Sequence, residues 1–250
     1  MRNTSPDGLS PGLVLGLVLS FAAPASAAEF LDPGAPWPKY RVEELEQPEG
    51  IDGAEPTALE LADLDGDRLL DLLIAWRTDD GGVLAAAVGG SREWRREHGS
   101  ELLPPVILAR TPAPIRHLAV ADVDWDGTLD VLMALEGRSR LDWFSLASAQ
   151  PVDDFETLPL PGPVTALAAL DYGRRDSAPS PVVGIETAKG PQLVLFPDQK
   201  SPAAQSPLLV PAGGVIRRVS AGNLDGDAWW DLVVATDHGL AVVKGTDSGS

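Results

Sequence analysis

Three stretches of this chain repeat one design. They are LADLDGDRLLDLLIA at 61–75, VADVDWDGTLDVLMA at 120–134 and AGNLDGDAWWDLVVA at 221–235. Each has a small or apolar lead-in, an acidic loop, and then a run of β-forming residues that ends in alanine. A weaker copy at 166–186, ALAALDYGRRDSAPSPVVGIE, keeps the lead-in, Asp171 and the apolar run but lacks the other acids. First loop positions fall at Asp63, Asp122, Asp171 and Asn223, with spacings of 59, 49 and 52 residues. Units of that size, each too small to bury its own apolar face, stack on one another.

Within each unit the strand signals are short apolar or alternating runs separated by Gly, Pro, Asp and Ser. The first unit (about 50–112) shows them at 58–63, 69–76, 82–88 and 105–110, and the second (113–160) at 116–122, 129–135, 140–146 and 155–160. The third (161–211) shows them at 164–170, 181–186, 191–196 and 207–211, and the fourth (212–250) only at 215–222, 229–235 and 239–245. Four antiparallel strands per repeat make a β-propeller blade, so the expected fold is all-β, a β-propeller of four-stranded antiparallel blades in about four units. The segment KYRVEEL at 39–45 is a candidate strand to complete the last blade and close the ring. The alternative is that the chain forms part of a larger propeller.

The loops read D-x-D-x-D-x-x-x-D: Asp63, Asp65, Asp67, Asp71; Asp122, Asp124, Asp126, Asp130; and Asn223, Asp225, Asp227, Asp231. Acids at alternate positions of a tight loop converge and repel unless a cation sits among them. Calcium suits an all-oxygen set of six to eight ligands; magnesium asks for a stricter octahedron, and transition metals for nitrogen or sulfur. The seventh positions, Leu69, Thr128 and Trp229, are expected to add a backbone carbonyl. Gly66 and Gly226 at the fourth position and Gly127 at the sixth stand where the turn needs a conformation costly for other residues. An EF-hand is excluded, since it needs Glu at the twelfth position and the residues there are Ile74, Met133 and Val234. A solvated turn that binds nothing is the plain alternative for one such loop. Three in register, each leading into the same strand signal, argue against it.

The pattern resembles the FG-GAP/VCBS repeat, whose D-x-D-G-D-G-x-x-D-L loop lies between two strands of a propeller blade. That resemblance implies up to three structural calcium ions held by the residues just named. It also points to relatives among integrin α-subunit heads, sugar-binding propellers and exported bacterial proteins. The chain departs from the pattern at Trp125, Arg68 and Ala228, which replace glycines, and in the third unit, where Arg174 and Arg175 stand in place of acids and no metal is expected.

The N-terminus reads as a signal peptide over 1–27. Arg2 gives a positive start, residues 13–23 form a short apolar run, and Ala25-Ser26-Ala27 offers a cleavage site. The mature chain is then 28–250, exported to the periplasm, the cell surface or the medium, with no later span apolar enough to cross a membrane. With no cysteine there is no disulfide, thiolate site or lipid anchor. A net charge of −18 disfavours nucleic acid and anionic lipid as partners.

Other groups carry less. His98, His117 and His238 sit in no zinc or catalytic spacing and read as structural or exposed. Arg92, Arg95 and Arg96 around Trp94 read as a solvated loop. One ring of Trp229-Trp230 should enter the core. No nucleophile elbow, phosphate loop or nucleotide fingerprint is present. The function expected is therefore a secreted calcium-binding propeller, not an enzyme, that binds a protein or glycan partner. The alternatives are an accessory or catalytic module of a polysaccharide-acting hydrolase or lyase, and a purely structural cell-surface scaffold.

Overall fold

A computed structural model describes residues 45–98, 101–124, 126–146, 151–170, 180–196, 206–227 and 229–245. The signal peptide at 1–27, residues 39–44 of the candidate closing strand 39–45, Trp125, Ala228 and the third-unit residues Asp171, Arg174 and Arg175 lie outside them. Nearly all that is described belongs to one compact unit, 46–250.

Among the described residues fifteen strands form four consecutive antiparallel sheets. The first holds β1 (Glu55–Ala62), β2 (Asp71–Thr78), β3 (Gly81–Ala87) and β4 (Val106–Thr111), and the second holds β5 (Ile115–Ala121), β6 (Asp130–Leu135), β7 (Arg140–Ser145) and β8 (Glu156–Pro159). The third holds β9 (Val164–Leu170), β10 (Ser180–Thr187), β11 (Gly190–Leu195) and β12 (Leu208–Pro211). The last has three strands, β13 (Ile216–Gly222), β14 (Asp231–Thr236) and β15 (Gly239–Val243). Strands pair in chain order, as propeller blades do, and every run expected within the four units contains a strand.

Second strands, and the third strands of the first three sheets, are largely buried on both faces. β3 and β6 have no exposed residue, which is why they read as unbroken apolar runs. Three apolar clusters lie between neighbouring sheets. Leu73, Leu84, Met133 and Phe144 join the first to the second. Leu132, Trp143, Val183 and Phe196 join the second to the third. Val182, Leu193, Ile216 and Leu232 join the third to the fourth.

The innermost strands follow one another as well, β1 against β5, β5 against β9 and β9 against β13. Thr57 Oγ1 donates to the Ile115 carbonyl at 2.6 Å, tying the first blade to the second. At the two ends of this arc Leu59, Leu61, Leu240 and Val242 are more than half exposed. Among the described residues no strand pairs with the outer edge of β15, in the unit where the sequence shows only three runs.

Each innermost strand carries a bulge at the same place. The pairing skips Thr57 in β1, Arg116 in β5, Thr165 in β9 and Arg217 in β13. A bulge adds a residue to one strand, sharpens its twist and re-aims a side chain. No single-strand pattern displays this, because it is a property of the pairing.

The stretch expected as a solvated loop is instead a short helix, α1 (Arg92–His98), between β3 and β4. Ser91 Oγ accepts the Trp94 amide at 3.1 Å and caps it. Trp94 stacks on His98 at 3.6 Å between ring centroids, and its indole donates to the Leu102 carbonyl. An Arg95–Glu101 ion pair at 3.1 Å completes the anchoring.

Gly184 in β10 tests the packing between the last two blades. A Cβ there would stand 2.8 Å from Ile216 Cβ and 2.9 Å from its Cγ2. Gly184→Ala should cost about 1–3 kcal/mol in urea denaturation. Gly213→Ala, where a Cβ meets nothing within 4 Å, should be near neutral.

Candidate metal centre

All three acidic loops leave the end of an innermost strand and enter the second strand of the same blade. They connect β1 to β2, β5 to β6 and β13 to β14. The last acid of each loop is therefore the first residue of the second strand: Asp71, Asp130 and Asp231, all buried. Each accepts the amide of the second loop residue through Oδ2: Leu64 at 2.7 Å, Val123 at 2.7 Å and Leu224 at 3.0 Å. Asp71 Oδ1 also accepts the Gly89 amide at 2.6 Å, and Asp231 Oδ1 the Gly245 amide at 3.1 Å.

Asp130 differs. Its Oδ1 is buried with no hydrogen-bond partner among the described residues. Burial, joined by the charges of Asp124, Asp122 and Asp126, pushes its carboxyl up to about 6, against the pull of the Val123 amide.

The first two loops bring their first, third and ninth positions together. One carboxylate oxygen each from Asp63, Asp65 and Asp71 lies within 4.8 Å of the others, and the same holds for Asp122, Asp124 and Asp130. Each such pair of charges repels by on the order of 1–4 kcal/mol at a protein surface. The donor set is all carboxylate, and one site includes an orphaned buried oxygen. Both features fit a hard divalent cation.

Fifth positions do something else. Asp67, Asp126 and Asp227 each accept, at 2.7 Å, the amide of the seventh position: Leu69, Thr128 and Trp229. They shape the turn and stand outside the two three-acid groups. First positions also brace the turn, Asp63 by accepting from Gly66 and Arg68, and Asp122 from Asp126 and Gly127.

Gly66, Gly127 and Gly226 adopt φ of 80°, 88° and 84°, as expected from their places in the loops. Arg68 holds φ 71° where a glycine would serve, a strained choice for a side chain with a Cβ.

The loop at 223–231 is built differently. Asn223 removes one charge, and its Oδ1 accepts the Gly226 amide. Lys244, just past β15, places its ammonium 2.8 Å from Asp225 Oδ2. This bond holds the Asp225 carboxyl below its ordinary range and raises the Lys244 ammonium. Lys244 lies 19 residues from Asp225, beyond the reach of a loop motif. Trp229 and Trp230 are both half-buried.

In metal-free protein Asp130 should make stability fall as pH rises from about 4 to about 6. Its folded pKa lies above the unfolded one, so the folded state holds a proton that rising pH removes. Thermal melts across that window in chelator, compared with Asp130→Asn, should show a flatter slope in the variant. Saturating calcium should flatten the slope of the parent.

Residues 63–133, which span the first two loops, match the family described as FG-GAP-like repeat. No curated protein matches the chain. Among solved structures it is similar to BBS1N in complex with ARL6DN, in a crystal soaked with lead. That similarity has a TM-score of 0.45 at 10% identity and covers 86% of this chain and 70% of that one. A mercury-soaked crystal of the same complex gives 0.46 at 11% identity, covering 91% and 74%. With its acidic loop closing on the first residue of β2 and its strands laid out in blades, the stretch 63–133 is similar to an FG-GAP-like repeat.

Proposed function

We propose that this chain is an exported, calcium-stabilised propeller that serves as a non-catalytic binding module for a protein or glycan partner. The observation that carries the reading is the convergence of three carboxylates in each of two equivalent loops, one group including a buried oxygen without a partner. Calcium would be held by Asp63, Asp65 and Asp71 in one loop and by Asp122, Asp124 and Asp130 in the other. The carbonyls of Leu69 and Thr128, and the outer acids Asp67 and Asp126, are available to complete the shell. At 223–231 the ligands would be Asn223, Asp225, Asp227, Asp231 and the Trp229 carbonyl. An ion there must first displace Lys244, so that site is the weakest. Calcium supplies charge neutralisation and rigidity at the loop.

The non-catalytic reading draws on the cavity lined by the innermost strands. Glu60 is the one carboxylate among its lining residues, whereas glycoside hydrolysis takes a pair. Export rests on the leader read at 1–27. Among the described residues no helix is long and apolar enough to cross a membrane.

Extracellular calcium modules have Kd of about 10⁻⁴–10⁻³ M, so each ion adds about 0.4–1.4 kcal/mol at millimolar calcium. For two to three sites the melting midpoint should rise by about 2–12 °C between chelator and calcium, with magnesium much less effective. Lys244→Gln should enlarge the calcium shift by freeing Asp225. An unchanged midpoint in calcium would remove the metal from the reading.

A further inference from the structure

The four innermost strands together line one open cavity of about 420 Å³. Three arginines of this strongly acidic chain face it: Arg116 from β5, and Arg217 and Arg218 from β13. Arg116 and Arg217 are the bulge residues of the second and fourth blades, and Thr57 is that of the first. Three blades thus use the same inserted position to line one space. All three arginines are exposed. No hydrogen bond or ion pair joins any of them to a carboxylate among the described residues. Burial raises the carboxyl of Glu60, another lining residue, against the pull of Arg218. His117, beside Arg116, is pushed toward neutrality by burial first and by Arg116 second.

The position along the strand matters. Each bulge lies six residues before the first position of its acidic loop, Thr57 before Asp63, Arg116 before Asp122 and Arg217 before Asn223. At strand rise that is about 20 Å, well beyond a Debye length at physiological salt. The guanidinium groups are thereby kept from the loop carboxylates that would otherwise pair with them. A bulge redirects a side chain at a cost in pairing, and guanidinium forks match carboxylates in bidentate fashion.

Resting on the binding-module reading, we propose that this cavity binds the carboxylate of an acidic sugar, with Arg116 and Arg217 as the anion clamp. The volume suits one or two sugar rings. The hydroxyls of Thr57 and Ser220 add partners for ring hydroxyls, and no aromatic or deep apolar pocket is present among the lining residues for peptide side chains.

The test is calorimetric titration of the full chain, in millimolar calcium, with digalacturonate. A neutral digalactose, an Asp/Glu hexapeptide and inorganic phosphate serve as the other arms. Digalacturonate should bind and the neutral disaccharide should not. The Arg116→Gln/Arg217→Gln variant should lose at least tenfold in affinity, with its melting midpoint and calcium shift unchanged. Arg217→Lys, which keeps the charge but not the fork, should fall between. If the double variant lost its cooperative melt, Arg217→Gln alone would be read in its place. No binding of digalacturonate, equal binding by the variant, or binding of peptide or phosphate in its place would overturn the proposal. The calcium shift, read on the same samples, reports separately on the metal reading.

Discussion

One buried carboxylate in each of three blades organises this protein. Asp71, Asp130 and Asp231 each start a second strand, and each reaches back to hold the amide of the second loop residue. Asp71 and Asp231 also hold an amide beyond the third strand, so one side chain ties loop, second strand and third strand together. A charge buried this way is tolerated because backbone amides solvate it. At Asp130, which has no second amide, burial pushes the carboxyl up to about 6 and an oxygen stays without a partner among the described residues. The position that most needs a cation is thus fixed by the hydrogen bonding of its neighbours.

The same requirement has two solutions within one chain. Loops 63–71 and 122–130 each gather three acids, the groups proposed above to hold a dication. The loop at 223–231 gives up one acid for Asn223 and takes an ammonium from Lys244. A covalently tethered cation is always present, whereas calcium depends on supply. The last blade, which has three strands among the described residues, is the one whose loop carries this built-in counter-ion.

Much of this was legible in the sequence because the repeat is local. Strand runs such as 129–135 and 229–235 follow from period and β-branching, and the loop glycines follow from the backbone angles a tight turn demands. What escaped depends on contacts between distant residues. The helix at 92–98 is held by Trp94 against Leu102 and by Arg95 against Glu101, so its charged surface pattern alone resembled a loop. The division of labour among the acids, with Asp67 and Asp126 turned to the seventh amide, is a matter of loop geometry. Arg116 and Arg217 read as ordinary polar residues of alternating strands. Only the pairing register, with its skipped position, shows them at equivalent places around one cavity.

The central claim is that carboxylates gather in these loops because a hard cation joins them. A crystal grown in millimolar calcium and recorded at a wavelength sensitive to that ion tests it most directly. The account predicts one anomalous peak among Asp63, Asp65 and Asp71 and one among Asp122, Asp124 and Asp130, each about 2.3–2.6 Å from its oxygens. Both groups filled by water alone, with their carboxylates splayed apart, would contradict it.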